Sequence, residues 1–382
     1  MSELYQLPDG WEWKKLDDIT LLITKGTTPT TNGHQFLTKG INFLKIENII
    51  NGEIDLSSIK MFISEDAHES QKRSQLNVDD VLFSIAGTIG DTAIVKQEHL
   101  PMNINQAIAI IRPQKMLDSR FLKHSLLSVI SKNTKDKQRG GAIKNISLGD
   151  IKDIDYPLPP LIEQKRIVQK LDALFERIDK AIALLQKNIA AADNFMNSVL
   201  NDVFSDLEQN YEKELWSNML TIKNGKHYKD VVDDNGQYPI YGSGGILKYA
   251  NNYICNENSV IIGRKGTINS PLFVREKFWN IDTAFGIESN TDKLVPVFLF
   301  YFTVKFNFLE LNQSTTLPSL AKSHLLKIKM VLPPLEIQQK VVAYLDNISA
   351  QIEQVKSAQQ QKMQNLLDLK SSILDQAFHG KL

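Results

Sequence analysis

The chain has 382 residues, 44 Lys+Arg against 44 Asp+Glu, 42% hydrophobic residues and one cysteine, Cys255. That length carries two to three domains, and the composition supplies real cores and excludes a disordered chain. One cysteine excludes a disulfide framework and a cysteine-built zinc site, zero net charge excludes a general polycation, and no apolar run reaches the roughly 18 residues of a membrane span. The start, MSELYQLPDGWEWKK, has no signal-peptide core. A soluble protein of a reducing, cytoplasmic compartment is expected.

Along the chain, Asn42–Ile50, Val81–Ile85, Thr92–Val95 and Ile108–Arg112 read as strands and Ser119–Ser131 as a helix. A long helix then starts at Leu158-Pro-Pro-Leu161. Pro160 suits its first position, and Glu163 suits the positive end of its dipole. Val168, Leu171, Phe175, Ile178, Ile182, Leu185, Ile189, Ala192, Met196, Val199 and Val203 recur at 3,4 spacing, the pattern of a coiled-coil seam. Tyr238–Tyr241, Ser259–Ile262 and Leu272–Val274 read as strands and Val295–Leu311 as a helix. A second long helix keeps the seam through Val341, Leu345, Ile348, Ile352, Val355, Leu366, Leu369 and Ile373, is polar at Gln359 and Lys362, and stops at His379-Gly380. Each long helix covers ~45 residues, roughly 65 Å. Turns are marked at Gly26, Asn51-Gly52, Gly87, Gly140-Gly141, Asn235-Gly236 and Gly242–Gly245.

The sequence also repeats itself. LPPLIEQKRIVQKLDALFERID from Leu158 lies without gaps over LPPLEIQQKVVAYLDNISAQIE from Leu332. Pro159/Pro333, Pro160/Pro334, Leu161/Leu335, Gln164/Gln338, Leu171/Leu345, Asp172/Asp346 and Ile178/Ile352 coincide. Upstream, Asn105-Gln-Ala-Ile falls over Asp282-Thr-Ala-Phe, Phe121-Leu122 over Phe298-Leu299, and Gly87-Thr-Ile over Gly266-Thr-Ile. Trp13 and Gly26 pair with Trp216 and Gly225 across a gap. A repeat of this length is an architecture, not a motif. The expected fold is α/β: two mixed α/β domains, 1–157 and 207–331, separated by long helices 158–206 and 332–382, which pack as an antiparallel coiled coil with pseudo-two-fold symmetry.

Catalytic signatures are missing. Gly263-Arg-Lys-Gly-Thr267 is too short and wrongly ordered for a phosphate loop, and Gly242-Ser-Gly-Gly245 lacks the third glycine of a dinucleotide loop and reads as a tight turn. The histidines form no HExxH or HxH pair. The two Pro-Pro pairs lack the polar residue and the aromatic of an amino-methyltransferase tetrad and read as helix punctuation. No catalytic and no metal-binding residue is assigned.

Charge points instead to nucleic acid. Within Lys132–Lys144, Lys132, Lys135, Lys137, Arg139 and Lys144 face only Asp136, beside Gly140-Gly141, a composition that suits phosphate binding. In the second half Lys226 and His227, near Lys223 and Lys229, and then Arg264 and Lys265 lie on turn-rich segments. Asn251-Asn252 and Asn312-Gln313 add side chains able to read adenine edges. Thr24–Thr31 is a further reading edge. A charge run alone is more often a solvated face, but its recurrence in both halves of a duplication favours two linked readers.

With these features together, the chain resembles the specificity subunit of type I restriction–modification systems over essentially its whole length. The resemblance rests on the helix starts Pro157–Gln164 and Val331–Gln338, the Gly-Thr-Ile turns at Gly87 and Gly266, Trp13 and Trp216, Tyr238-Pro-Ile-Tyr-Gly242 and Phe378-His-Gly-Lys-Leu382. One departure is Leu335-Glu-Ile-Gln338, where Glu336 is displaced by one position relative to Glu163. The resemblance implies two target-recognition domains, each reading one half of a bipartite asymmetric DNA site, with the coiled coil setting the spacer. It implies a non-catalytic subunit bound to double-stranded DNA, two methyltransferase subunits and, in the full complex, restriction subunits. S-adenosylmethionine, ATP and Mg would then belong to the partners, with no cofactor in this chain. Docking is expected at Leu158, Pro159, Pro160 and Leu161 and at Leu332, Pro333, Pro334 and Leu335. Two other classes remain open from the residues alone: a coiled-coil scaffold with two modules unrelated to DNA, and a self-contained methyltransferase.

Overall fold

The structure, a computed structural model, describes residues 5–126, 128, 145–312, 314 and 316–382. Contacts divide the chain into two compact units, Met1–Ala183 with Met363–Leu382, and Leu184–Lys362.

In the first unit an antiparallel sheet runs in the order Thr20–Lys25, Ile108–Pro113, Val81–Ser84, Thr92–Ile94. Its strands are apolar at successive positions because both faces are covered. Val81, Phe83, Ala109 and Ile111 join a core with the long-helix residues Val168, Leu171, Phe175 and Ile178, whereas Leu82, Ile108 and Ile110 join a second core on the other face. A smaller sheet places Ile41–Leu44 between Phe62–Ile63, antiparallel, and Met102–Ile104, parallel. A ribbon of Glu12–Lys15 with Asp155–Leu158 leads into the long helix. Residues 119–126 are helical, with Phe121 and Leu122 fully buried.

The second unit repeats this plan. Its main sheet runs Leu220–Asn224, Ala284–Ser289, Ser259–Gly263, Leu272–Val274, again antiparallel and covered on both faces. The smaller sheet places Tyr238–Gly242 between Gly245–Ala250, antiparallel, and Trp279–Asn280, parallel. Lys213–Leu215 pairs with Lys329–Val331, and Pro296–Lys305 supplies the helix, with Phe298 and Leu299 buried.

The long helices are Leu161–Asn210 and Leu335–Phe378. Within the first unit Val168, Leu171, Phe175 and Ile178 pack with Leu374, Ala377 and Phe378, and Lys370 Nζ lies 2.8 Å from Asp179 Oδ1. Within the second, Val199, Leu200, Phe204 and Leu207 pack with Leu345, and Lys356 Nζ lies 2.9 Å from Asp193 Oδ1. In both units numbers rise along one helix as they fall along the other, so the helices run antiparallel. Ile178 and Ile352 are buried, as the seam requires.

Several expectations are corrected. In the second helix Val355 and Leu369 are 47% and 48% exposed and Lys362 is exposed, while Lys356, Gln359, Met363, Leu366 and Lys370 are the partly covered positions. Ile352 is followed by an i+4 step to Lys356, which continues the seam without an apolar signal because Lys buries its stem with its charge at the edge. The strand expected over Asn42–Ile50 ends at Leu44, where Asn48 Oδ1 accepts from Lys45 N at 2.9 Å and closes a 3-10 turn. The helix expected over Val295–Leu311 ends at Lys305, and Asn307 Oδ1 accepts from Leu309 N at 3.2 Å to open a new turn. Trp13 is not the counterpart of Trp216. Trp216 is fully buried at the head of a 3-10 turn, and Leu16 holds that place in the first unit.

Candidate functional site

In the second unit the positions expected to bind lie on one connected group of loops. The backbone N–H of Lys226 donates to Asn280 O at 3.0 Å, and Trp279 Nε1 returns a bond to Lys226 O at 3.1 Å. Arg264 N donates to Thr283 O at 2.7 Å. The short segment Asn280–Ala284 therefore holds both loops, and it leaves Lys226, His227, Arg264 and Lys265 all exposed. The guanidinium of Arg264 lies 5.9 Å from the centre of the Phe285 ring, which steadies it without neutralising it. His227 stacks on Tyr228. Lys223 differs: its ammonium sits 2.9 Å from Glu288 and donates to Ile254 O at 3.1 Å, so it braces the sheet. Asn312 is used within its own loop, where its Oδ1 accepts from Ser314 N and Ser319 N, whereas Asn251 and Asn252 are exposed.

Gly225 shows why this loop is tied so closely. A Cβ there would stand 1.8 Å from Ile281 O. The first unit has the same close approach: a Cβ on Gly26 would stand 2.1 Å from Ile104 O. Gly87 and Gly266 adopt φ of 73° and 78°, the left-handed region that suits glycine, in the matching turns of the two units. In the Thr24–Thr31 loop Thr24 is buried, Thr28 is bonded to the Gln106 side chain, and Thr30 and Thr31 are exposed. Lys132, Lys135, Lys137, Arg139 and Lys144 lie outside the described residues.

The helix starts carry a second repeated construction. Gln164 is fully buried; its Oε1 accepts from Asp118 N at 2.8 Å and its Nε2 donates to Met116 O and Pro159 O, both at 2.9 Å. Gln338 is fully buried too; its Oε1 accepts from Val295 N, and its Nε2 donates to Lys293 O and Pro333 O, all at 2.8 Å. Each amide locks the helix start to the loop before the unit's short helix. The displacement of Glu336 leaves this lock untouched. Two helix turns further, Asp172 accepts from His124 Nε2 at 3.0 Å, and Asp346 accepts from the Tyr301 hydroxyl at 2.6 Å. Burial, with the charges of Lys123, Arg120 and Lys370, pushes the His124 pKa down to about 4, so the neutral ring donates to Asp172.

The family model described as type I restriction modification DNA specificity domain matches residues 8–188 and 210–363. The chain belongs to that family. A relative spanning nearly equal lengths is the putative type I restriction enzyme MjaX specificity subunit of Methanocaldococcus jannaschii, 25% identical over 100% of this chain and 96% of its own. A chain solved in work on complex assembly and conformational transition of the type I R-M system superposes with a TM-score of 0.77 at 25% identity, covering 99% of this chain and all of that one. The crystal structure of the HsdS subunit from Thermoanaerobacter tengcongensis shares the fold, with a TM-score of 0.51 at 24% identity over 99% of both chains.

For a DNA specificity subunit, the surface at the helix starts is uneven. Leu158, Pro159 and Pro333 are buried inside their own units, which narrows the expected docking groups to Pro160, Leu161 and Pro334, with Leu332 and Leu335 partly covered. Ile162, 86% exposed, was missed. Its signal was available: an isoleucine stands on the outward face where the repeat has Glu336. The buried pair Gln164 and Gln338 was visible only as a coincidence of letters. Among the described residues no three or more His, Cys, Asp or Glu side chains gather to hold a metal, and no helix is long and apolar enough to cross a membrane.

Proposed function

We propose that each unit reads one half of a bipartite, asymmetric DNA site and that the paired helices set the spacer between the halves. What supports this is one observation: the same scaffold occurs twice, down to the Gln164 and Gln338 locks, while the exposed loops it carries differ. Lys226, His227, Arg264 and Lys265 are the contacts of the second reader; Lys132, Lys135, Lys137, Arg139 and Lys144 are those of the first. The recognition domains are 1–157 and 207–331, and the segments 158–206 and 332–382 between and after them are carried mainly by the two long helices. Pro160, Leu161, Ile162, Leu332, Pro334 and Leu335 dock two methyltransferase subunits. The subunit itself is non-catalytic and acts in the cytoplasm, with S-adenosylmethionine on the methyltransferases and ATP and Mg on restriction subunits.

Co-expression with the cognate methyltransferase subunit in a host without adenine methylation, followed by base-resolved mapping, tests this reading. One split motif modified in both halves is the expected result. No new methylation from a complex shown to be assembled and cofactor-loaded would overturn it.

A further inference from the structure

Among the described residues the two units differ plainly at one place in their shared plan. In each, the smaller sheet has a central strand flanked by one antiparallel edge strand. In the first unit the whole segment Lys45–Met61 lies between the central strand and that edge, and it folds its own small hairpin, Ile49–Ile50 with Glu53–Ile54. In the second unit the central strand turns straight back through Ser243-Gly244, with Gly242 opposite Gly245. A duplicated scaffold that reads two different half-sites must differ where it meets bases, so this position is a natural reading edge.

The turn has the surface such an edge needs. Ile246, Leu247 and Tyr249 are 49%, 52% and 45% exposed, and Lys248 is exposed between them. The pairing shifts here, Tyr241 opposite Ile246 and Ile240 opposite Lys248, so Leu247 is the extra residue of a bulge, a device that re-aims side chains at a sheet edge. The tip lies against the basic turn: a Cβ on Gly263 would stand 3.1 Å from Ser243 Cβ, and Ile281 N donates to Tyr241 O at 3.0 Å beside the segment that holds Arg264. The far end lies against acids, since Asp233 N donates to Tyr249 O at 3.0 Å in the loop that also carries Asp230 and Asp234. Three carboxylates against the single Lys229 in that loop make the far end the less favourable one for a polyanion, and the tip the more favourable. Gly244 adds a separate sign. Its backbone is outside the left-handed region, and a Cβ there would meet nothing within 4 Å. The chain's own packing and backbone leave room for a side chain at this glycine.

We infer that the tip Gly242–Leu247 is a base-reading edge of the second unit, with Gly244 admitting the close approach of the DNA backbone and Ile246 and Leu247 meeting a thymine methyl in the groove. This rests on the proposed DNA-reading function and names the residues that set its second half-site. Apolar contact is how a side chain distinguishes thymine in the major groove.

The test uses the complex assembled with its methyltransferase, carrying Gly244→Val or, separately, Ile246→Asn. Both sites are open, so assembly and unfolding temperature stay as in the unaltered complex. Binding to the cognate duplex falls about tenfold or more, and the methylation map loses or relaxes bases in one half of the motif only. If the unaltered complex binds and methylates a split motif while both variants keep that motif and bind within about twofold, the inference is overturned and the proposed function stands. If the unaltered complex neither binds duplex nor methylates it, both fall together.

Discussion

Replacing Gln338 by Leu removes three hydrogen bonds at nearly constant volume. Val295 N–H and the carbonyls of Lys293 and Pro333, each 2.8 Å from the amide, lose their partner at a position with no solvent access. At about 1 kcal/mol for each bond, the loss is ~3 kcal/mol. That is a large share of the 5–15 kcal/mol that typically holds a domain together. The cost falls first on the junction between helix Pro296–Lys305 and the long helix, because the amide is the link between them. Hydrogen exchange read by mass spectrometry reports it directly. The Val295 amide exchanges about a hundredfold faster in the variant, and Asp118 in the other unit keeps its wild-type rate. Gln164→Leu reverses the pattern. A Val295 rate within about threefold of wild type would refute the argument that these amides lock the helix starts.

Other outcomes follow from the same geometry. Arg264→Glu with Lys265→Glu lowers the salt dependence of duplex binding by about 1.8 in log–log slope if both meet phosphate, and charge reversal across Lys135, Lys137 and Arg139 flattens it further; anisotropy titrations at several salt concentrations measure this, and an unchanged slope removes the loop concerned from the interface. Ile162→Asp, at a site 86% exposed, leaves unfolding within ~0.5 kcal/mol of wild type but weakens capture of the methyltransferase subunit, seen by size-exclusion chromatography. For His124 the folded pKa of about 4 lies below the unfolded value of 6.5, so the unfolded state binds more protons between the two. Its contribution is therefore complete above pH 6.5 and lost as pH falls toward 4, about 3 kcal/mol in all. His124→Phe flattens that limb of a stability-versus-pH curve; an unchanged limb would assign it to other groups.

The long helices and the repeat were legible because 3,4 spacing over many turns and a gap-free match have few rival explanations. The strands were harder. Phe62–Ile63 and Trp279–Asn280 are two residues long, and the main-sheet strands are buried on both faces, so no alternation marks them. The helix phase slipped at Val355 because Lys356 packs by its stem, and the helix ended early at Lys305 because Asn307 competes for the backbone. Around the candidate site, composition located Lys226 and Arg264 but could not distinguish them from Lys223, which Glu288 engages. The tip Ser243-Gly244 was legible as a turn and not as a surface, since exposure depends on what the rest of the unit leaves uncovered.

The first unit is not made from one stretch of chain. Its core includes Leu374, Ala377 and Phe378, far along the sequence from Leu171, Phe175 and Ile178, which they cover. At roughly 5–20 residues per second, synthesis must pass through the whole second unit before that cover arrives. During that interval the earlier helix face is an open apolar stripe on the nascent chain. The second unit, uninterrupted from Leu184 to Lys362, closes first. The half of the protein begun earliest is thus completed last, and its folding in the cell depends on whatever shields that stripe until the distal helix is made.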